Sequence, residues 1–378
     1  MSGISDILGQ LKAENRFRSV PGPVEESYFD LSSNDYLGLA ERYDEYIEEF
    51  QRRFPDAGFT SSASRLLSTR QKYHHRLESL LASLYGKEAL LFNSGYHANV
   101  GCIGALTLPS TLFICDKLIH ASIVDGLKIN SAEYKRFPHN DLRKLEKILQ
   151  KESESYERIV VVVESIYSMD GDEAPLRELV ELKRRYPSML LYVDEAHAFG
   201  VRGKRGLGLC EELDTIKETD ILIGTFGKAA ASMGAFAIVS EELKQLLVNF
   251  ARPFIFSTAL PPANVAWSIL MTEKIVGMQE ERRHLQELGA YFASRIQKIA
   301  LRQSAPSHII PLLTGDASRA IEMAVELRKN GILALPIRRP TVPPGGERIR
   351  FSLSASMTME KLGRVADILE EISHGNPR

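Results

Sequence analysis

Cysteine is scarce in this 378-residue chain: Cys102, Cys115 and Cys210 occur, with no CxxC pair among them. An odd count without paired spacing argues against a disulfide framework or a metal held by cysteines. Two of the three sit in apolar stretches, as buried free thiols do. An excess of one charge is also missing. The formal net charge is −2, so there is no electrostatic case for a nucleic-acid or acidic-membrane partner. Basic and acidic residues alternate over 178–185, the pattern of a solvated helix face. Long apolar runs are absent as well. The strongest, such as Ile159–Val163, fall far short of the ~20 residues that span a bilayer. The segment from Met1 to Arg18 is charged and amphipathic. It lacks the apolar core of a secretory signal, and a reducing cytoplasm is the expected compartment. There is no internal repeat and no low-complexity tract.

The apolar fraction is 44% and the charged fraction 25%, which suits a soluble globular protein. The first ~20 residues read as a helix stopped by Val20-Pro21-Gly22-Pro23, and Tyr28–Leu31 as a short strand before a turn-rich segment. From about Leu84 the pattern is strand, polar or glycine turn, helix. Strands are expected at Ala89–Phe92, Thr111–Cys115, Ile159–Val163, Leu190–Val193, Ile221–Gly224 and Ala235–Val239, with amphipathic helices such as Asp141–Lys151 and Pro175–Tyr186 between them. Uninterrupted apolar strands separated by helices indicate a sheet buried on both faces. The expected fold class is therefore α/β: a large domain whose mainly parallel sheet is covered by helices, plus a smaller α+β C-terminal domain. A helical stretch should follow Pro261-Pro262 to about Leu301, and then strands at His308–Leu313, Ile332–Leu335 and Arg348–Leu353. The expected division is an N-terminal helix and extended segment over 1–40, a large domain over 41–275 and a small domain over 276–378.

The chemistry begins at Asp194-Glu195-Ala196-His197, which follows the apolar strand Met189–Val193. Ligands of open α/β sheets bind at the C-terminal edge of the strands. An acid there can hold a metal, a nucleotide's Mg²⁺ or a protonated ring nitrogen, or it can be a structural Asp/His pair. The letters DEAH also occur in helicase-type NTPases, which need a GxxxxGK[ST] phosphate loop. None of Gly86-Lys87, Gly203-Lys204 and Gly227-Lys228 is followed by Ser or Thr, so that reading fails. Lys228 ends the segment Thr225-Phe226-Gly227-Lys228, which comes directly after the strand Ile221–Gly224. It is either a surface lysine opening a helix or a partly buried amine, and burial makes an amine a competent Schiff-base nucleophile. A carboxylate for a pyridinium nitrogen and a lysine for an aldehyde are what pyridoxal phosphate requires. Asn93-Ser94-Gly95-Tyr96 follows Ala89–Phe92 and opens a helix, where first-turn N–H groups can take a phosphate. His120 lies just past the next strand, where an imidazole face could stack on a ring or could be structural. His74-His75 resembles a metal pair, but adjacent helical residues do not face each other; surface and packing roles are expected.

Together these segments resemble the α-oxoamine synthase family of fold-type-I pyridoxal-phosphate enzymes. The ordered matches include Ser33-Asn34-Asp35-Tyr36-Leu37-Gly38, Ser64-Arg65-Leu66, Asn93–Tyr96, His120-Ala121-Ser122, Ser168-Met169-Asp170-Gly171-Asp172, Asp194–His197, Thr225–Lys228 and Ser257–Pro262. They run from about Leu31 to Leu353. The resemblance implies that Lys228 bonds the cofactor aldehyde as a Schiff base and moves the Cα proton. It implies that Asp194 pairs with the ring nitrogen, that His197 and Ser168 lie at the phenolic oxygen, and that His120 stacks on the ring. Ser94, Gly95, Tyr96 and Thr225 would surround the phosphate. Thr258 would reach the phosphate of a second subunit, implying a homodimer. Arg350 and Asn34 would meet the amino-acid carboxylate. Arg338 and Arg18 (or Arg16) would face the acyl substrate. The proline-rich Ile337–Gly345, followed by Arg348-Ile349-Arg350, is similar to members that join L-alanine to a pimeloyl thioester, carried on coenzyme A or on acyl carrier protein. The alternatives are a sister synthase using glycine or serine with another acyl thioester, and a catalytically silent paralogue that binds a partner.

Two stretches depart from the family pattern. Gly58-Phe59-Thr60-Ser61-Ser62-Ala63 and Ala229-Ala230-Ala231-Ser232 stand where glycine-rich runs are usual. Since Cβ atoms disfavour the left-handed backbone region, a different path is expected for both loops.

Overall fold

The computed structural model describes residues 2–20, 22, 28–69, 71–297, 299 and 307–375. The chain opens with the helix Ser2–Ala13, shorter than the ~20 residues expected. The expected stop at Pro21 and Pro23 lies outside the described residues. Strand β1 is Phe29–Asp30. There follow β2 (Glu88–Phe92), β3 (Thr111–Asp116), β4 (Tyr134–Phe137), β5 (Arg158–Glu164), β6 (Met189–Asp194), β7 (Ile221–Thr225) and β8 (Ala235–Val239). The chain closes with β9 (Ile309–Leu313), β10 (Ile332–Leu333), β11 (Leu335–Ile337) and β12 (Arg348–Ser352).

By compactness the chain forms two units. The larger comprises 37–168 and 173–282, and the smaller 1–36, 169–172 and 283–378. The larger unit holds a seven-stranded sheet in the order β2-β8-β7-β6-β5-β3-β4. Strands β7, β6, β5, β3 and β4 are mutually parallel, and β8 runs antiparallel to both β2 and β7. The chain ends of β2, β3, β5, β6 and β7 therefore gather at one edge. Every residue of β3, β7 and β8 is buried, and all but the first of β5, as an uninterrupted apolar strand requires when helices cover both faces. Helices start where local chemistry tells them to. Asp141 caps the helix Leu142–Glu152 by accepting from Lys144 N at 3.0 Å, which leaves fewer orphan donors at its start. Strand β4, Tyr-Lys-Arg-Phe, was not expected. It lies at the sheet edge with mostly solvent-facing polar side chains, so no apolar run announces it.

The smaller unit has two sheets: β1 pairs with β10 in parallel, and β11-β12-β9 is antiparallel. Helices Ala317–Lys329 and Met359–Gly375 accompany them. The expected single helical stretch to Leu301 is two helices, Pro262–Gly277 and Gln279–Ile296, separated at Met278; Leu301 lies outside the described residues. Among the described residues no helix is long and apolar enough to cross a membrane.

Each glycine-poor loop contains a left-handed residue that carries a Cβ: Ser62 has φ +50° and Ala231 φ +44°.

Candidate active site

Strand ends build a cleft of about 220 Å³ in the larger unit. Its walls include Gly95 and Tyr96 after β2, His120 after β3, Glu164 ending β5, Asp194 and His197 at β6, and Thr225 and Lys228 at β7. Of the site residues expected in this unit, these seven are brought together: Gly95, Tyr96, His120, Asp194, His197, Thr225 and Lys228. Ser94, Ser168 and Thr258 do not line it. Ser94 is instead the N-cap of the helix Gly95–Leu106, its hydroxyl accepting from His97 N at 3.2 Å. Ser168 is buried next to Glu164, donating its N–H to Oε2 at 3.2 Å. Thr258 is exposed, and its carbonyl accepts from the Asn93 amide at 2.7 Å.

Strand alternation separates the two acids of the DEAH segment. Asp194 faces the cleft. Its Oδ2 accepts from the Asn99 side-chain amide at 2.8 Å and its Oδ1 from Ala196 N at 2.9 Å. Glu195 is fully buried and structural: it accepts from Ser165 Oγ at 2.6 Å and from the N–H groups of Leu209 and Cys210 at 3.0 and 2.6 Å. Burial raises its pKa against the pull of these donors. A Cβ at Gly208 would meet Glu195 Oε2 at 2.6 Å, so glycine is required for the carboxylate to reach both N–H groups.

Lys228 Nζ stands 2.9 Å from His197 Nε2. Thr225, at the end of β7, donates its hydroxyl to Gly234 O and accepts from Gly227 N, which shapes the turn that presents the lysine. His120 caps the helix Ala121–Ile129, with Nδ1 2.7 Å from Ser122 Oγ. Burial lowers its pKa, the Asp194 charge opposes that, and the Lys228 charge adds to it. Its imidazole is accordingly neutral.

Glu164 and Asn99 also line the cleft and were missed. Glu164 pairs in register with Asp194 across parallel strands, which lie ~4.8 Å apart. Burial and the Asp194 charge push its pKa well above the carboxylate range, and its Oε1 has no hydrogen-bond partner. Burial beside the Asp194 carboxylate favours its protonated form. The signal was available, since Glu164 follows its apolar strand as Asp194 follows the next. Asn99 lies one turn after Gly95, on the same helix face.

The expected residues of the smaller unit form their own cluster. Arg350 is 7% exposed and donates to Asn34 Oδ1 at 3.1 Å, Ser352 Oγ at 3.0 Å and Tyr36 OH at 3.3 Å. Arg348 points the same way along β12 but is ion-paired with Asp170 at 2.7 Å. Arg18 donates to Thr341 Oγ1 at 2.9 Å, and Arg338 donates to the Asn15 carbonyl at 2.6 Å. Burial, then the Arg18 charge, lowers the Arg338 pKa. Arg16 turns to Glu14 at 2.8 Å.

The donor set of the cleft suits pyridoxal 5′-phosphate. A first-turn helix end fits a phosphate, an anchored carboxylate a basic ring nitrogen, an amine an aldehyde, and a neutral imidazole a flat ring.

Residues 26–369 match the family model described as aminotransferase class I and II. The chain belongs to that family. It is 46% identical over 380 residues to a Pasteurella multocida protein named "Putative 8-amino-7-oxononanoate synthase", covering 97% of this chain and 98% of that one. A Haemophilus influenzae protein of the same name is 43% identical over 375 residues, covering 96% and 98%. Among solved structures, a Sphingomonas wittichii serine palmitoyltransferase superposes with a TM-score of 0.89 at 27% identity, covering 100% of this chain and 98% of that one. An 8-amino-7-oxononanoate synthase from Francisella tularensis gives 0.78 at 27% identity, covering 92% and 99%. The fold is that of fold-type-I pyridoxal-phosphate enzymes, as the resemblance implied.

Proposed function

We propose that this chain is a pyridoxal-phosphate-dependent acyltransferase of biotin biosynthesis that joins L-alanine to a pimeloyl thioester. The products are 8-amino-7-oxononanoate, CO₂ and the free thiol of the carrier, coenzyme A or acyl carrier protein. The observation that carries the reading is the Lys228 amine set against His197 in the cleft that also holds an anchored Asp194. The names of the relatives at 43–46% identity support the choice of substrates.

When bound, pyridoxal phosphate supplies an electron sink for negative charge at the amino-acid Cα. Lys228 serves as the covalent anchor and as the base that takes the Cα proton. Asp194, held by Asn99 and Ala196 N–H, keeps its charge aimed at the ring nitrogen. His197 would meet the phenolic oxygen, with Ser168 nearby, and His120 would cover the ring. Gly95 and Tyr96 present N–H groups to the phosphate, with Ser94 and Thr225 shaping the turns beside it. Thr258 serves the phosphate of a second subunit. Arg350, with Asn34, takes the alanine carboxylate, and Arg338 and Arg18 take the acyl substrate. Residues 41–275 act as the cofactor domain, and 276–378 with 1–40 as the smaller one. We place the enzyme in the cytoplasm as a homodimer.

Borohydride reduction of the cofactor-loaded protein tests the anchor: the cofactor mass should sit on the peptide containing Lys228, and a label elsewhere refutes the assignment. The same label disposes of a silent paralogue. One observation favours a sister reaction, since serine palmitoyltransferase gives the higher TM-score of the two structures. Product analysis with alanine, serine and glycine against each acyl thioester separates them. The proposal expects turnover with alanine and pimeloyl carriers, and a preference for serine overturns it.

A further inference from the structure

A buried chain of hydrogen bonds runs behind the cleft. The Tyr192 hydroxyl donates to Asn99 Oδ1 at 2.7 Å. The Asn99 amide nitrogen donates to Asp194 Oδ2 at 2.8 Å and to Ser122 Oγ at 2.9 Å. Ser122 Oγ lies 2.7 Å from His120 Nδ1. Tyr192 and Ser122 are fully buried and Asn99 is 2% exposed, so each link has to be satisfied within the protein.

The chemistry allows one direction of donation. Tyr192 is a neutral phenol, because burial raises its pKa, so it can donate to the amide oxygen. The flipped amide would set its oxygen against the Asp194 carboxylate, acceptor against acceptor. Both Asn99 amide hydrogens are then spent, one on Asp194 and one on Ser122. The Ser122 oxygen, which receives one of them, keeps a second lone pair, so the direction of its own proton is read from the acceptor it faces, His120 Nδ1 at 2.7 Å. Ser122 N–H reaches the same nitrogen at 3.3 Å. With two donors on Nδ1, the imidazole proton belongs on Nε2.

We propose that Asn99 is the positioning residue of this cleft: it clamps Asp194 and, through Ser122, holds His120 as a neutral imidazole. The consequence is a division of charge. A cationic His120 would compete with the cofactor's ring nitrogen for Asp194, whereas a neutral one leaves that carboxylate to the ring. The charged groups around His120 do not determine this alone. Asp194 on β6 and Asp125 on its own helix favour protonation, and Lys228 after β7 opposes it. Glu164 on β5 is pushed toward its protonated form by burial and by Asp194. Burial is the largest influence and lowers the pKa; the Ser122 proton facing Nδ1 works in the same direction.

The function assigned to Asp194 and His120 rests on the cofactor reading above, but the hydrogen-bond direction does not. The experiment therefore follows His120 by NMR in histidine-labelled protein, assigned with His120→Asn, in cofactor-free and pyridoxal-phosphate-saturated samples. In the wild type the His120 midpoint should lie below the ordinary ~6.5, with the proton of the neutral form on Nε2. Asn99→Leu and Ser122→Ala should each raise its midpoint by about one unit, because a proton no longer faces Nδ1. Asn99→Leu should also weaken pyridoxal phosphate about tenfold by removing a charge-assisted donor from Asp194. Ser122→Ala, which keeps that donor, should weaken it less. A purely structural Asn99 would leave the midpoint where it is. If His120 titrates alike in all three proteins, or carries its proton on Nδ1 in the wild type, the proposal is overturned. Ser122→Ala, the milder change, decides the matter if Asn99→Leu does not fold. If no sample binds pyridoxal phosphate, the functional reading falls, while the cofactor-free titration still decides this one.

Discussion

Two arginines on one strand face show how much a partner matters at the residue scale. Arg348 and Arg350 share a face of β12, but Arg348 is bound to the Asp170 carboxylate and Arg350 donates to Asn34, Ser352 and Tyr36. A planar guanidinium can hold a ligand carboxylate through two parallel hydrogen bonds, and Arg350 is the one proposed to meet the amino acid. Arg350→Ala should weaken alanine binding at least about tenfold, the loss of ~1.4 kcal/mol or more. Arg350→Lys should restore part of it, because the fork is lost. Arg348→Ala should cost stability through the stranded Asp170. Titrating alanine against the absorbance of the bound cofactor measures both, and a binding defect in Arg348→Ala alone would reverse the assignment.

His74 supplies a pH prediction at the same scale. It is 1% exposed, its Nε2 meets Leu260 O at 3.0 Å, and burial lowers its pKa to about 4. Neighbouring His75 is largely solvent-exposed. A base whose folded pKa is depressed adds its full stability above the unfolded value of ~6.5. As pH falls from there toward 4, the unfolded chain takes up a proton that the folded chain refuses, and stability is lost. The loss from this group is about 3 kcal/mol across that window. His74→Gln keeps a donor for the carbonyl without titrating, so urea unfolding at pH 7 and pH 4.5 should show a flatter dependence in the variant. Equal slopes would mean that His74 is protonated in the folded protein.

At the scale of elements, the turn after Lys228 carries strain that glycine would relieve. Ala231 sits at φ +44°, a region that costs an L-residue ~1–2 kcal/mol. Its carbonyl accepts from Trp267 Nε1 at 3.0 Å and its N–H donates to Lys228 O at 2.9 Å, so the corner is held from both sides. Ala231→Gly should raise stability by about 0.5–1 kcal/mol, less than the full strain because glycine gains freedom when unfolded. Ala230→Gly, next door and without positive φ, should lower it. Thermal unfolding of the two variants checks the contrast. The strand edge is built from the same kind of local rule: each parallel strand ends in a polar residue or turn, and the sheet order then collects those ends.

At the scale of the whole molecule, exposed apolar side chains suggest what covers the larger unit. Phe59 is 89% exposed, Leu67 80% and Phe256 69%. The segments that carry them meet at a bridge between Ser64 and Thr258. Exposed apolar side chains can serve an interface, and Thr258 is the residue proposed to reach a second subunit's phosphate. The protein should sediment as a dimer at assay concentration, with an obligate interface above ~2,000 Å². Leu67→Asp should drive it toward monomer and lose activity with it. A fully active monomer would contradict the assignment of Thr258.

Much of this protein was determined along the chain itself. Apolar runs placed six of the seven central strands, and the residue after each run placed Asp194, His120, Gly95 and Lys228 at one edge. Such features are local: a side-chain period and a turn residue act within a few positions. The tertiary structure decided the rest. Strand β4 exists because a neighbour offers it hydrogen bonds, since its own polar sequence provides no drive to be buried. Whether Glu164 carries a charge depends on Asp194 beside it on another strand. Which arginine meets Asp170 and which meets Asn34 depends on residues far away in sequence. The direction of the Ser122 proton depends on Asn99, Tyr192 and Asp194 meeting from separate elements. Partners, burial and charge state are properties of neighbours, and the fold alone decides which residues become neighbours.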